Sequence, residues 1–219
     1  MIFAKIDFIN LLPFYVFIKK NIKSSQLKQI INYKKSYPSK INKQFRTKKI
    51  DAAFISSIAS RNKKSLNIGI VAKDEVLSVL ILNKKNQEDY QSQTSNALAK
   101  VLDINGQVLI GDKALQYYYK NKNNDFKDLA KIWKDKYNLP FVFAVLSYNN
   151  YQNYLTNLTN KFKKTNTKIP QYILNNYCNK SNLTQKQINQ YLEKITYDIG
   201  YKEKQSLKLF FKLLKQKGL

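Results

Sequence analysis

Through the first two thirds of the chain, stretches in which apolar and polar residues alternate give way repeatedly to stretches with the 3.6-residue period of a helix. Residues 2–9 alternate and are rich in Ile and Phe, which predicts a strand, and Pro13 then supplies the fixed φ of a helix's first turn. A second short strand is expected at 29–33, followed by a helix that Ser36 and Pro38 open and that runs to about residue 48. The apolar run 50–55 reads as a buried strand, and Ser56 and Ser57 lead from it into a short helix. Strands are expected at 66–71 and 76–82, a helix at 96–102, a strand at 107–110 and a helix at 113–119. After a polar turn at 121–125, residues 126–136 have helical spacing, with Leu129, Ile132 and Trp133 on one side, and 141–146 is a fully buried strand. The remainder, 148–219, reads as helical throughout, with breaks near 166–170, 179–182 and Gly200; no repeat and no disordered linker interrupts the chain.

Alternating strands and helices imply a mainly parallel sheet. The segments 76–82 and 141–146 bracket a compact α/β middle section. If both cross between lobes, 1–77 and 147–219 together form one lobe and 78–146 an inserted second lobe. A ligand site then belongs in the cleft between them.

Composition adds limits. With 43% apolar residues in 219, the chain can bury a core in one large domain or two small ones. No run approaches the roughly 18 apolar residues of a membrane span. Lys5, Asp7, Asn10 and Pro13 interrupt the apolar start where a secretory leader would be continuous, so a cytoplasmic protein without a membrane partner is expected. The single cysteine, Cys178, has no internal disulfide partner, which fits a reducing compartment. A formal charge of +25 invites a nucleic-acid reading, but only Arg46 and Arg61 are arginines, and the lysines are spread along the whole length. Their company of Asn, Ile and Tyr is what A+T-rich coding produces. A solvated lysine coat and no nucleic-acid partner are expected, with a positive field that concentrates small anions near a cleft.

The missing residue types narrow the chemistry further. Without histidine the commonest general base and metal ligand is absent, and a lone Cys178 in a helical, aromatic setting is a packing residue. Five glycines form no nucleotide-binding loop, and the carboxylates show no metal-site spacing, so neither a metal nor another cofactor is expected. What remains is a set of hydroxyl and amide side chains where strands pass into helices: Ser92, Gln93, Thr94 and Ser95, then Ser56 and Ser57, then Asn10. Each alone is an ordinary helix cap. Two such caps and Asn10 in a two-lobed protein point to a cleft for an organic anion with more than one carboxylate, held by hydroxyls and free backbone N–H groups at helix starts.

The segment Lys5-Ile6-Asp7-Phe8-Ile9-Asn10-Leu11-Leu12-Pro13 resembles the opening of the chorismate dehydratase family of menaquinone biosynthesis, and Tyr37-Pro38-Ser39-Lys40-Ile41-Asn42 its next block. In the family's order follow Ile50-Asp51-Ala52-Ala53-Phe54-Ile55-Ser56-Ser57-Ile58, Ser78-Val79-Leu80, the turn Ser92 to Ser95, and Ile110-Gly111-Asp112-Lys113-Ala114-Leu115. Asp128-Leu129-Ala130 to Trp133 and Leu139-Pro140-Phe141-Val142-Phe143-Ala144 complete the series, while the C-terminal part agrees in character only. Two departures stand out: residues 73–76 lack a glycine that members often carry before the Ser78 strand, and Ser147 stands where many have tryptophan.

The resemblance implies an α/β, two-lobed periplasmic type II solute-binding-protein-like fold with a ligand cleft between the lobes. It also implies a cofactor-independent hydro-lyase that removes water from chorismate, a small dicarboxylate, to give 3-[(1-carboxyvinyl)oxy]benzoate in the futalosine route to menaquinone. Asn10 is then the expected catalytic residue, orienting the substrate's own enolpyruvyl carboxylate or the leaving hydroxyl. Ser56, Ser57, Ser78, Ser92, Thr94, Ser95, Gly111 and Asp112 are the expected substrate-binding set. Asp112 is open to two readings, a general acid or a helix-start cap. The alternatives are the sister 1,4-dihydroxy-6-naphthoate synthase, which looks to a histidine for its chemistry, and a non-catalytic binding protein for small carboxylates.

Overall fold

The computed structural model describes residues 1–121 and 125–219, the side chains of 30–33 excepted. The expected turn at 121–125 falls mostly outside the described residues. β1 (Phe3–Ile6) runs through a 3₁₀ turn, Ile9–Leu11, into α1 (Leu12–Asn21), whose Pro13 sits in the first turn. Next come α2 (Ser25–Tyr33), β2 (Lys35–Ser36), α3 (Pro38–Arg46), β3 (Ala52–Ser56), the single-turn α4 (Ser57–Ser60) and β4 (Ser65–Ala72). The middle of the chain forms β5 (Val79–Leu82), α5 (Gln93–Val101), β6 (Gln107–Ile110), α6 (Gly111–Lys120), β7 (Phe126–Asp128) and α7 (Leu129–Tyr137). β8 (Phe141–Tyr148), α8 (Gln152–Lys163), α9 (Gln171–Ser181), α10 (Gln185–Glu193), β9 (Ile195–Asp198) and α11 (Tyr201–Gln216) complete it.

Two sheets organise these elements, a six-stranded one in the order β2-β1-β3-β8-β4-β9 and a three-stranded one in the order β6-β5-β7. Among the strands of the described residues only β1 with β2 and β1 with β3 pair in parallel; the other strand pairings are antiparallel, which corrects the expectation of a mainly parallel sheet. The reason lies in what separates the strands. β3 and β4 are near in sequence but do not pair with each other, because β8 returns after the whole middle section and inserts between them in the opposite direction. β8 lies wholly in the large sheet, so 141–146 leave the expected inner segment 78–146 and join the outer one.

Three local expectations change as well. Residues 29–33 are helical, because Ser24 accepts the Leu27 N–H and starts a turn that continues to Tyr33. The stretch 126–136 is split: Phe126–Asp128 pair with β5 before the helix begins. The C-terminal part contains a strand, β9, which covers the edge of β4. In both missed strands the apolar pattern is too short to show a period of two.

One continuous core joins the layers. Phe14 meets Phe54 and Phe162 edge-on, with centroids 4.9 and 5.1 Å apart, and the fully buried Trp133 packs on Phe141 and donates Nε1–H to Ser206 Oγ of α11 at 3.0 Å. On β5, Val79 and Ile81 face this core while Leu80 and Leu82 pack with Ala114 on the opposite side, the alternation a strand covered on both faces requires. Among the described residues no helix is long and apolar enough to cross a membrane.

Asp128 locks the approach to β5. One carboxylate oxygen caps α7 by accepting Ala130 N–H (2.9 Å) and Lys131 N–H (3.1 Å); the other accepts Val76 N–H (2.9 Å) and Leu77 N–H (2.6 Å). Leu77 needs that support because its φ is +61°, a left-handed conformation that costs a non-glycine residue about 1–2 kcal/mol. Here the chain solves with hydrogen bonds what a glycine would solve with freedom. Asp128→Ala is expected to lower stability by about 3 kcal/mol, since four N–H groups, three of them partly buried, lose their acceptor, read as an earlier midpoint in urea unfolding.

Candidate active site

Between the two sheets lies a cleft lined by residues of both, the kind of place where small-molecule sites are found. Its walls are Phe8, Ile70, Phe143 and Ala144 from the large sheet and its loops, and Val76, Val79 and Ile110 from the small one. Five polar side chains interrupt this surface: Asn10, Ser56, Ser78, Ser92 and Ser95. Every lining residue is uncharged.

Each polar group is oriented from behind. Ser56, the last residue of β3, receives Asn42 Nδ2–H on its Oγ at 2.6 Å and gives its own N–H to Asn42 Oδ1 at 3.1 Å, so its hydroxyl hydrogen is left for the cleft. Ser92 caps α5 by accepting Ser95 N–H at 3.2 Å and donates its hydroxyl to Ser95 Oγ at 2.8 Å, which passes the donor role to Ser95. Ser78 accepts the hydroxyl of Tyr191 at 2.9 Å. Asn10 sits in the 3₁₀ turn after β1; its backbone carbonyl accepts the Tyr197 hydroxyl at 2.6 Å, and its side-chain Oδ1 is buried without a hydrogen-bond partner. An unpaired buried acceptor beside a cleft is a cost that a ligand can remove.

Gly111 opens α6 with φ +61°, and a Cβ there would stand 3.2 Å from the Phe8 ring. Glycine therefore lets the Phe8 wall lie against the start of the helix. The other expected binding residues do not line the cleft. Ser57 is fully buried and donates to the Val142 carbonyl at 2.5 Å, and Thr94 Oγ1 accepts Ile58 N–H at 3.1 Å, tying α4 to α5. They brace the two cap turns from the rear.

Asp112 neither lines the cleft nor caps α6. Burial pushes its carboxyl up to about 6, with the Lys180 charge opposing and Asp7 adding to the rise; its Oδ1 is buried without a partner. Asp7 nearby takes Lys180 Nζ at 2.6 Å and the Tyr177 hydroxyl at 2.9 Å, with Lys35 at 3.2 Å and Lys5 at 3.5 Å. Burial alone would raise its carboxyl, but Lys180, Lys5 and Tyr177 together hold it well below the usual carboxylate range. Among the described residues no cluster of three or more carboxylates and thiols forms a possible metal site.

Comparison with known proteins adds to this geometry. A family model described as menaquinone biosynthesis matches residues 91–216, more than half of the chain. A chorismate dehydratase of Campylobacter jejuni is 46% identical over 223 aligned positions, covering 100% of both chains. The chain belongs to the menaquinone biosynthesis family. Two solved structures share the fold. A protein from Archaeoglobus fulgidus superposes with a TM-score of 0.67 at 12% identity, covering 99% of this chain and 97% of that one. An ABC transporter from Parabacteroides distasonis superposes at 0.57 and 15%, covering 98% and 91%. The expected α/β fold resembling periplasmic solute-binding proteins is what the chain adopts.

In this member of the menaquinone biosynthesis family, the residues that sequence reasoning missed stand behind the cleft: Asn42, Tyr177, Tyr191 and Tyr197. Asn42 ended a visible motif block and was the one within reach. The tyrosines are three among sixteen, at positions where helical or short-strand patterning marks only packing.

The raised Asp112 carboxyl sets a pH dependence of stability. The folded state holds this proton up to about pH 6 while an unfolded chain releases it near 3.8, so stability falls as pH rises between those values and the loss is complete above them. Asp112→Asn is expected to remove that part of the pH profile and to be more stable than the parent at pH 7 by on the order of 2 kcal/mol, measured by urea unfolding from pH 4 to 7.

Proposed function

We propose that this chain is a chorismate dehydratase that forms 3-[(1-carboxyvinyl)oxy]benzoate and water, in the cytoplasm and without a cofactor. The observation that carries the reading is an uncharged, hydroxyl-lined cleft with the free acceptor Asn10 Oδ1 at its edge. The full-length relative at 46% identity supports it, since that protein is a chorismate dehydratase.

The chemistry follows from the lining. Ser56 on one wall and Ser95, backed by Ser92, on the other present hydroxyl hydrogens to the two carboxylates of the substrate, helped by helix-start N–H groups, and Phe8 and Phe143 flank its ring. Carboxylates held by neutral donors keep more of their basicity than carboxylates paired with a lysine or arginine. The enolpyruvyl carboxylate can then take the neighbouring ring proton. The electrons of that C–H bond enter the ring, the ring C–O bond breaks, and hydroxide leaves to take the proton as water. Aromaticity makes the step strongly downhill, so positioning supplies most of what is needed. Asn10 Oδ1 accepts the hydrogen of the ring hydroxyl and holds it in the pose from which it departs. Lobes drawn as 1–77 with 141–219 and 78–140 place one carboxylate-binding wall on each.

Incubation of the protein with chorismate alone, followed by diene absorbance and product mass, tests the reading. The expected product is lighter by one water, and Asn10→Ala is expected to cut kcat by about 100-fold. Unchanged chorismate with folded protein would overturn it in favour of the naphthoate synthase or a binding protein. The +25 charge adds a second expectation: kcat/KM falls several-fold from low to high salt while kcat holds, because screening weakens capture of a dianion and leaves the neutral cleft untouched.

A further inference from the structure

Tyr191 lies on α10 with 1% of its surface exposed and does not line the cleft. Its hydroxyl donates to Ser78 Oγ at 2.9 Å. A phenol has one hydrogen to give, so Ser78 is the acceptor in this pair. Asn10, which lines the same cleft, keeps its Oδ1 buried without a partner. Ser78 has accepted, so its own hydrogen is directed into the cleft that it lines.

We infer that Tyr191 is a positioning residue that fixes Ser78 as a hydrogen-bond donor into the cleft. The inference rests on the dehydratase reading. The Ser78 donor meets an oxygen of the substrate that gains charge as the C–O bond breaks. Without the phenol hydroxyl, Ser78 is free to rotate. The direction of the bond is stable because burial, with Asp112 and Asp128 nearby, keeps the phenol protonated well above its ordinary range.

The test uses the full chain with Tyr191→Phe, Ser78→Ala and the double variant, assayed on chorismate beside thermal unfolding. For Tyr191→Phe, kcat is expected to fall about tenfold or more with KM changed by less than about twofold and Tm close to that of the parent. Ser78→Ala is expected to cost much less in the Phe background than alone, because its hydroxyl has already lost direction. A Tyr191→Phe protein that turns over at the parent rate overturns the inference. So does one in which kcat, KM and Tm all worsen while the two substitutions multiply, which is the signature of packing alone. If Tyr191→Phe does not fold, 3-fluorotyrosine at the same position keeps the ring and changes the donor strength. A shifted kcat at constant Tm then supports the role, and an unchanged kcat overturns it. A parent protein that leaves chorismate intact would overturn the dehydratase reading and this inference with it, whereas parent turnover with an unaffected variant overturns the inference alone.

Discussion

Tyr197 gives its hydroxyl hydrogen to the Asn10 carbonyl across 187 positions of sequence, at 2.6 Å, and Tyr191 reaches Ser78 across 113. Those two bonds join the turn after the first strand and the entry to the small sheet to the C-terminal third of the chain. The cleft depends on them, because polar groups placed in an apolar cavity are tolerated only when something fixes their direction. Asn42 does the same for Ser56, and Asp128 for the backbone at Val76 and Leu77. The cleft is thus lined by single hydroxyls and amides, of which Ser56 and Ser78 are backed by partners from distant elements while Ser92 and Ser95 hold each other at the start of α5.

Charge is arranged in two zones. Thirty-nine Lys and Arg against fourteen Asp and Glu make the whole molecule strongly positive, yet every residue lining the cleft is neutral. On the proposed reading, attraction at long range and neutrality at contact serve different steps: the first gathers a dianion, the second leaves its carboxylates basic. The ion pairs around Asp7 belong to neither zone. They join β1 to α9 beside Asp112 and stiffen the floor beneath the Asn10 turn.

Most of the architecture was legible from pattern. The helix at Pro13, the buried strand at residues 52–56, the helix opened by Ser92 and the strand at residues 107–110 all lie where periodicity and capping residues put them. The motif blocks led to Asn10, Ser56, Ser78, Ser92, Ser95 and Gly111, all of which line the cleft. Short segments escaped, because Phe126–Asp128 and Ile195–Asp198 are strands only through the partners they find in β5 and β4.

By itself, the sequence determined the α/β character, most of the longer elements, the absence of histidine chemistry and the set of hydroxyl and amide residues from which a site is made. All of these follow from local spacing and residue type. Tertiary structure alone decided which hydroxyls face the cleft and which, like those of Ser57 and Thr94, turn away to Val142 and Ile58. It also decided that β8 inserts between β3 and β4 in the opposite direction, and that three tyrosines from the C-terminal third stand behind the site. The physical reason is that a hydrogen bond's direction is set by the partner it meets, and these partners are brought together by packing between elements far apart in the chain.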